Sequence, residues 1–127
     1  MAFGRANSSF DSAKEWRYAT AGRYIAEKLP ERAVFFTMLH SGSARYYSGR
    51  LTVRYDLIPP QLLERAIAHF QGQGYAPYFL LDDGERGHFV DRFSSATSLA
   101  ALDWQPVATL DGVAIYDVAR APLVQPR

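Results

Sequence analysis

The pattern of apolar and polar positions predicts helices and strands that follow one another along the chain. A first helix is predicted from about Asp11, because apolar residues recur at spacings of three and four between Tyr18 and Leu29. Pro30 marks its end. The run from Ala33 to Leu39 is continuously apolar and rich in β-branched and aromatic residues, which predicts a strand buried on both faces.

The middle of the chain repeats this order of elements. Leu51 to Tyr55 alternates more strongly and predicts a second, weaker strand. Pro59-Pro60 predicts the start of a second helix, which Gly72 and Gly74 would close. Pro77 to Leu81 predicts another buried strand, and the apolar residues between Phe89 and Phe93 predict a third, short helix.

The last third of the chain predicts a β-hairpin. Val107 to Leu110 and Val113 to Tyr116 are strand-like runs around Asp111-Gly112, a dipeptide that favours type I′ turns. Strands that alternate with helices indicate a parallel sheet with right-handed crossovers. The predicted fold is therefore α/β, a small three-layer Rossmann-like sandwich whose mostly parallel sheet ends in a C-terminal antiparallel hairpin.

Length and composition predict one soluble domain. The 127 residues suffice for a single core, which we expect over residues 11–118, with a flexible lead-in at 1–10 and a frayed tail at 119–127. The net charge of +1 gives no general attraction to nucleic acid. The absence of cysteine excludes disulfides and thiolate metal sites, and no apolar run is long enough to span a bilayer.

The loop after the first strand is the predicted ligand site, because open parallel sheets bind ligands beyond the carboxyl ends of their strands. Ser41 or Ser43 could cap a short helix whose free N–H groups would face an anion, with Arg45 or Arg50 adding charge. The alternative, which we favour because capping turns are common and anion sites rare, is a Ser-capped turn whose two tyrosines pack beneath it. The candidate ligand-binding residues are His40, Ser41, Gly42, Ser43, Arg45, Arg50 and Asp56.

The acidic stretch Asp82 to Glu85 has two interpretations. It could bind a divalent cation together with His40 or Asp56, but it does not match the spacing of a calcium loop. Acidic residues at a strand end more often cap the following helix, and we favour that interpretation. His69 on the polar side of the second helix and His88 in a turn-like stretch are expected at the surface. The residues predict no catalytic group, metal site or cofactor.

Two adjacent stretches carry a family resemblance. Tyr24 to Pro30 and residues 33–56, AVFFTMLHSGSARYYSGRLTVRYD, resemble the soluble domain after the last membrane helix of some bacterial membrane glycosyltransferases. These enzymes belong to the dolichyl-phosphate-mannose–protein mannosyltransferase-like group. The similarity continues less distinctly through PYFLLDD and LDWQPVATLDGVAIYD, and so covers roughly residues 20–118.

The resemblance implies an accessory rather than a catalytic role. The family's acidic catalytic residues lie in a loop near its N-terminal membrane helices, and no segment here matches that region. It implies a domain on the extracytoplasmic, periplasmic side of a bacterial inner membrane, which works with the membrane-embedded part of its parent protein. Its partners would be a lipid-phosphate sugar donor or the acceptor, and not nucleic acid. The alternatives are a stand-alone Rossmann-like module that binds a nucleotide or another phosphorylated small molecule, and a protein-interaction domain that uses exposed tyrosines such as Tyr75 or Tyr78.

Overall fold

Five strands of the computed structural model form one mixed sheet. The structure describes residues 20–38 and 49–121. Within them the sheet order is β2-β1-β3-β5-β4, in which β1 pairs in parallel with β2 and β3, and β5 pairs antiparallel with β3 and β4. The strands are β1 (Ala33–Thr37), β2 (Leu51–Arg54), β3 (Ala76–Asp82), β4 (Ala108–Leu110) and β5 (Val113–Asp117). The predicted α/β class and the C-terminal antiparallel edge are confirmed.

The described helices alternate with the strands in the predicted order. The helix α1 covers residues 20–28, and its predicted start near Asp11 lies outside the described residues. Helix α2 spans Leu63–Gly72 after a 3-10 turn at Pro60–Leu62, so the Pro-Pro pair precedes the α-helix rather than beginning it. Helix α3 spans Asp83–Phe93 and follows β3 directly. Shorter 3-10 helices lie at Tyr55–Leu57, Ser98–Ala101 and Val118–Arg120.

The two faces of the sheet bury separate hydrophobic clusters. Successive side chains of a strand point to opposite faces, so Phe36 of β1 packs in one cluster and Phe35 in the other. The first cluster includes Leu63 of α2 and Phe89 of α3, and the second includes Ile25 of α1. Every residue of β1 is buried, which confirms the prediction from its continuous apolar run. Helices therefore cover the sheet on both sides.

The hairpin forms as the Asp-Gly pair predicts. Asp111 and Gly112 both have positive φ, at 49° and 83°, as the two central residues of a type I′ turn require. The Val107 N–H also donates to the Ile115 carbonyl at 2.7 Å, which continues the pairing one residue beyond β4. The hairpin brings Val113 and Ile115 into the cluster beside α1.

Two predictions about individual side chains are wrong. Tyr78 is not exposed: it is 4% exposed and its ring stacks on Phe35 with centroids 5.2 Å apart, because both faces of β3 are buried and Tyr78 packs in the cluster beside α1. His88 does not lie in a turn but inside α3. Tyr75 is half-buried, with the guanidinium carbon of Arg32 4.3 Å from its ring centroid.

In residues 20–38 and 49–121, the structure contains no helix with the length and apolar character needed to cross a membrane.

Candidate functional site

The topology places a crevice where the parallel strands end. β2 and β3 follow each other in the chain, but in the sheet β1 lies between them. The connections after β1 and after β2 therefore leave in opposite directions. Ligands of open parallel sheets bind at such a reversal, outside the carboxyl ends of the strands.

A capping box begins α3 at this edge. The Glu85 N–H donates to Asp82 Oδ1 at 2.9 Å, and the Asp82 N–H lies 3.4 Å from Glu85 Oε2. Each side chain thus satisfies a backbone donor that the first helical turn leaves free. The capping interpretation of the acidic stretch Asp82 to Glu85 is confirmed. A metal site there gains no support, because the described part of the chain holds no group of three His, Asp or Glu side chains placed for a metal ion.

The Glu85 carboxylate joins the ends of all three parallel strands. It is fully buried, and its Oε1 accepts from the Tyr55 hydroxyl at 2.7 Å and from the Met38 N–H at 3.3 Å. Met38 follows β1, Tyr55 follows β2 and Glu85 follows β3. Burial raises the pKa of Glu85, although the hydrogen bonds from Tyr55 and from the backbone oppose that rise. Burial and the bond to Glu85 likewise raise the pKa of Tyr55, so its hydroxyl stays a donor.

An open cleft of about 570 Å³ lies over this network. Its lining residues come from the segments after β1 and β2 and from one face of α3. His88, Asp91 and Arg92 share that face, because residues three and four apart are neighbours on a helix surface. The lining residues are Met38, Tyr55, Asp56, Pro60, His88, Asp91 and Arg92.

Two of the charged groups in the cleft already have partners. The Arg54 guanidinium makes two bonds to the Asp56 carboxylate, at 3.1 and 2.6 Å, and its hydrogen bond lowers the pKa of Asp56. Arg92 Nη2 donates to the Ile58 carbonyl at 2.8 Å, which ties α3 to the segment after β2. The buried Arg92 Nε has no hydrogen-bond partner among the residues that the structure describes.

Asp91 and His88 are the uncommitted polar groups of the cleft. Both side chains are exposed, and neither has a hydrogen bond or ion pair to any residue that the structure describes. They lie three residues apart on the wall that α3 contributes. The arrangement can therefore offer an acceptor and a second polar group to a ligand without breaking an existing contact.

The predicted site residues separate into three groups. Asp56 lines the cleft, at the carboxyl end of β2 where the sequence placed it. Arg50 lies at the amino end of β2, where its Nε donates to the Pro30 carbonyl at 2.8 Å and its Nη2 to the Leu29 carbonyl at 3.0 Å, so it caps α1. The predicted loop residues His40, Ser41, Gly42, Ser43 and Arg45 lie outside the described residues.

Sequence reasoning missed the α3 wall of the cleft. The spacing of His88, Asp91 and Arg92 would have revealed a polar helix face, because Phe89 and Phe93 define a separate, buried face beside it. The sequence contains no comparable pattern that would indicate the hydrogen bond between Tyr55 and Glu85. The two residues are thirty positions apart, and only the sheet brings them together.

Comparisons of this chain with protein-family models, with curated proteins and with solved structures found no match. The assignment of a function therefore depends on the cleft, on the sheet that positions it and on the resemblance of the sequence.

Proposed function

We propose that this chain is a non-catalytic accessory domain of a membrane-embedded glycosyltransferase, on the extracytoplasmic side of a bacterial inner membrane. In this proposal a Rossmann-like, three-layer domain presents its cleft to the sugar donor or to the acceptor. The observation that carries the proposal is an open cleft at the carboxyl ends of parallel strands. The resemblance of residues 33–56 supplies the class of parent enzyme.

The hydrogen bonds and ion pairs that the acidic side chains already make support a non-catalytic role. General acid–base catalysis needs a carboxyl or imidazole group that a neighbour orients toward the reacting atom. At this edge Asp82 caps α3, Glu85 is buried beneath Tyr55, and Asp56 is paired with Arg54. Asp91 has no orienting partner among the described residues, and such an exposed carboxylate is suited to binding rather than to proton transfer.

The start of α3 argues against the nucleotide alternative. Helix N-termini bind phosphate because their free N–H groups and dipole attract negative charge. In α3 the Asp82 carboxylate accepts one of these N–H groups, and Asp83 and Glu85 add negative charge in the first turn. A phosphate at this position would meet the carboxylates of Asp82 and Asp83, while the N–H groups of Asp83 and Glu85 already donate to the Gly112 carbonyl and to Asp82. The described part of the edge therefore favours a ligand other than a nucleotide.

The reading frame and a transfer assay together test the proposal. We expect several apolar segments of about 20 residues upstream of Met1 in the same frame or in an adjacent gene. In membranes that contain the parent enzyme, removal of this domain should raise the KM for donor or acceptor while transfer persists, because an accessory site contributes binding rather than chemistry. A kcat and KM that do not change without the domain would refute the proposal. Complete loss of turnover by an enzyme that still binds both substrates would refute the non-catalytic part of it.

A further inference from the structure

We infer that the cleft binds a small zwitterion, an α-amino acid with an apolar side chain, and that Asp91 and Arg92 of α3 hold its ammonium and its carboxylate. This inference goes beyond the proposed function, because it concerns the chemistry of the cleft and holds whether or not the chain has a membrane-embedded parent. Three features of the cleft carry it: two opposite charges that are not paired with each other, the fixed position of Arg92, and an apolar wall.

Opposite charges occupy neighbouring positions on the α3 wall without forming an ion pair. Asp91 and Arg92 both line the cleft, and neither is ion-paired with any residue in the described part of the chain. Successive residues of an α-helix point about 100° apart, so the two side chains leave α3 in different directions. The cleft therefore presents a negative and a positive group separately, and each can receive a ligand charge of the opposite sign.

Two contacts hold the Arg92 guanidinium in place. Its Nη2 donates to the Ile58 carbonyl at 2.8 Å, and its carbon lies 5.4 Å from the centroid of the Phe93 ring. The carbonyl uses only one of the N–H donors, and Arg92 makes no other side-chain hydrogen bond to a described residue. A carboxylate can therefore bind the remaining Nη donors without displacing the bond to Ile58, and little side-chain freedom is lost when it binds.

A zwitterion fits these charges better than an ion of one sign. An anion on Arg92 would approach the carboxylate of Asp91, and a cation on Asp91 would approach the guanidinium of Arg92. An α-amino acid carries both charges on the same carbon atom, so it can set its ammonium against Asp91 and its carboxylate against Arg92. His88, one helical turn before Arg92 on the same wall, can donate a second hydrogen bond to that carboxylate.

The rest of the cleft lining suits an apolar side chain. Met38 and Pro60, with the edge of the buried Tyr55, offer carbon surface from the segments that follow β1 and β2. The volume of about 570 Å³ falls in the range of ordinary small-molecule sites. A residue inside a peptide lacks both main-chain charges, so the separate charges of Asp91 and Arg92 favour a free amino acid over a peptide segment.

Nuclear magnetic resonance titration of the isotope-labelled chain tests this inference. The probes are L-leucine and L-phenylalanine at millimolar concentrations, each compared with the two analogues that keep one of its charges. These are isocaproate and isoamylamine for leucine, and hydrocinnamate and phenethylamine for phenylalanine. We expect at least one amino acid to shift the amide signals of α3 and of Tyr55–Leu57, and its single-charge analogues to bind at least about tenfold more weakly, because each loses one charge-assisted contact.

Two substitutions in α3 separate the two charges of the ligand. Asp91→Asn should weaken binding of the amino acid about tenfold without weakening that of the acid analogue. Arg92→Gln should weaken binding of the amino acid to a similar extent without weakening that of the amine analogue. Arg92→Gln also removes the bond to Ile58, whereas Asp91 is exposed, so Asp91→Asn decides the matter if Arg92→Gln does not fold.

Asp83→Asn is the matched control, because it removes a carboxylate from the same helix outside the cleft lining. It should leave the affinity for the amino acid unchanged. No binding of either amino acid, or single-charge analogues that bind as tightly as their parent, would overturn the inference. Amino-acid binding that Asp91→Asn leaves unchanged would also overturn it. The upstream reading frame and the transfer assay decide the accessory role separately, so either idea can fail while the other stands.

Discussion

The hydrogen bond between Tyr55 and Glu85 gives the sharpest test of the buried network. Tyr55→Phe removes the hydroxyl that donates to Glu85 Oε1 at 2.7 Å. The ring itself should stay in place, because it packs edge-on against Phe89 and Phe93 with centroids 5.0 and 6.0 Å away. The substitution therefore deletes one hydrogen bond to a buried carboxylate and leaves the aromatic packing unchanged.

The expected loss follows from the burial of Glu85. A hydrogen bond to a charged group contributes about 1.5–3 kcal/mol when the charged partner stays buried, so we expect Tyr55→Phe to lower the free energy of unfolding by about 2 kcal/mol near neutral pH. Unfolding entropy scales with length, and for a chain of 127 residues this loss corresponds to a fall in Tm of roughly 7 °C.

The loss should also depend on pH. Burial raises the pKa of Glu85 in the folded state above its unfolded value, so its contribution to stability is complete below the unfolded pKa and falls as the pH rises through the folded one. The bond from Tyr55 favours the ionised form, and removing it raises the pKa of Glu85 further. In acid, where Glu85 is protonated, only a weaker bond between neutral groups is lost. The difference between wild type and Tyr55→Phe should therefore grow from acid to neutral pH.

Urea unfolding of both proteins at a series of pH values measures this difference. Tyr116→Phe is the matched control, because Tyr116 is buried in the same cluster and its hydroxyl has no hydrogen-bond partner among the described residues. It should cost less than about 0.5 kcal/mol at every pH. A loss from Tyr55→Phe that equals the control, or that does not vary with pH, would refute the assignment of Glu85 as a buried, titrating partner.

Four further substitutions test the same domain by urea or thermal unfolding. Glu85→Gln keeps a capping-box side chain but cannot ionise, so its stability relative to wild type should improve as the pH rises, and a constant difference would contradict a raised pKa for Glu85. Asp82→Ala removes the N-cap of α3 and should lower the free energy of unfolding by about 1 kcal/mol, whereas an unchanged stability would contradict the capping role of Asp82. Gly87→Ala should stabilise α3 by about 0.5–1 kcal/mol because a Cβ there meets nothing, whereas Gly74→Ala should destabilise by about 1 kcal/mol because Gly74 has a φ of +89° and its Cβ would lie 3.4 Å from Arg32. Equal effects of the two alanines would contradict the backbone argument.

The strands could be predicted because their burial leaves a local signature. Residues of β1 face helices on both sides of the sheet, so the run from Ala33 to Thr37 carries no polar side chain except Thr37. The hairpin was equally visible, since Asp111 and Gly112 adopt a turn that few other residue pairs accept. In each case the constraint acts within a few residues of sequence.

The site was less predictable because its partners are distant in sequence. Arg50 looked like a ligand for an anion, but its guanidinium bonds the carbonyls at the end of α1, twenty-one residues before it for Leu29. An Arg that binds a ligand and an Arg that caps a helix have the same sequence pattern. Only the fold, which brings Arg50 back to the end of α1, distinguishes the two roles. In the sequence, Glu85 looks like an ordinary acidic residue in the first turn of a helix. Its burial depends on Tyr55 and Met38, which follow other strands of the sheet.

The network and the cleft also allow positioning to be separated from binding. Tyr55 and Glu85 fix the ends of the parallel strands from below, while Asp91 and His88 face the cleft without described partners. If the network only holds the wall in place, Tyr55→Phe lowers stability while its effect on ligand affinity stays small. Asp91→Asn, on an exposed position of α3, changes affinity and leaves stability near that of wild type. Tyr55→Phe should therefore change the free energy of unfolding and not the ligand affinity, and Asp91→Asn should do the reverse. A network residue whose substitution changed affinity as strongly as Asp91→Asn would have to contact the ligand itself.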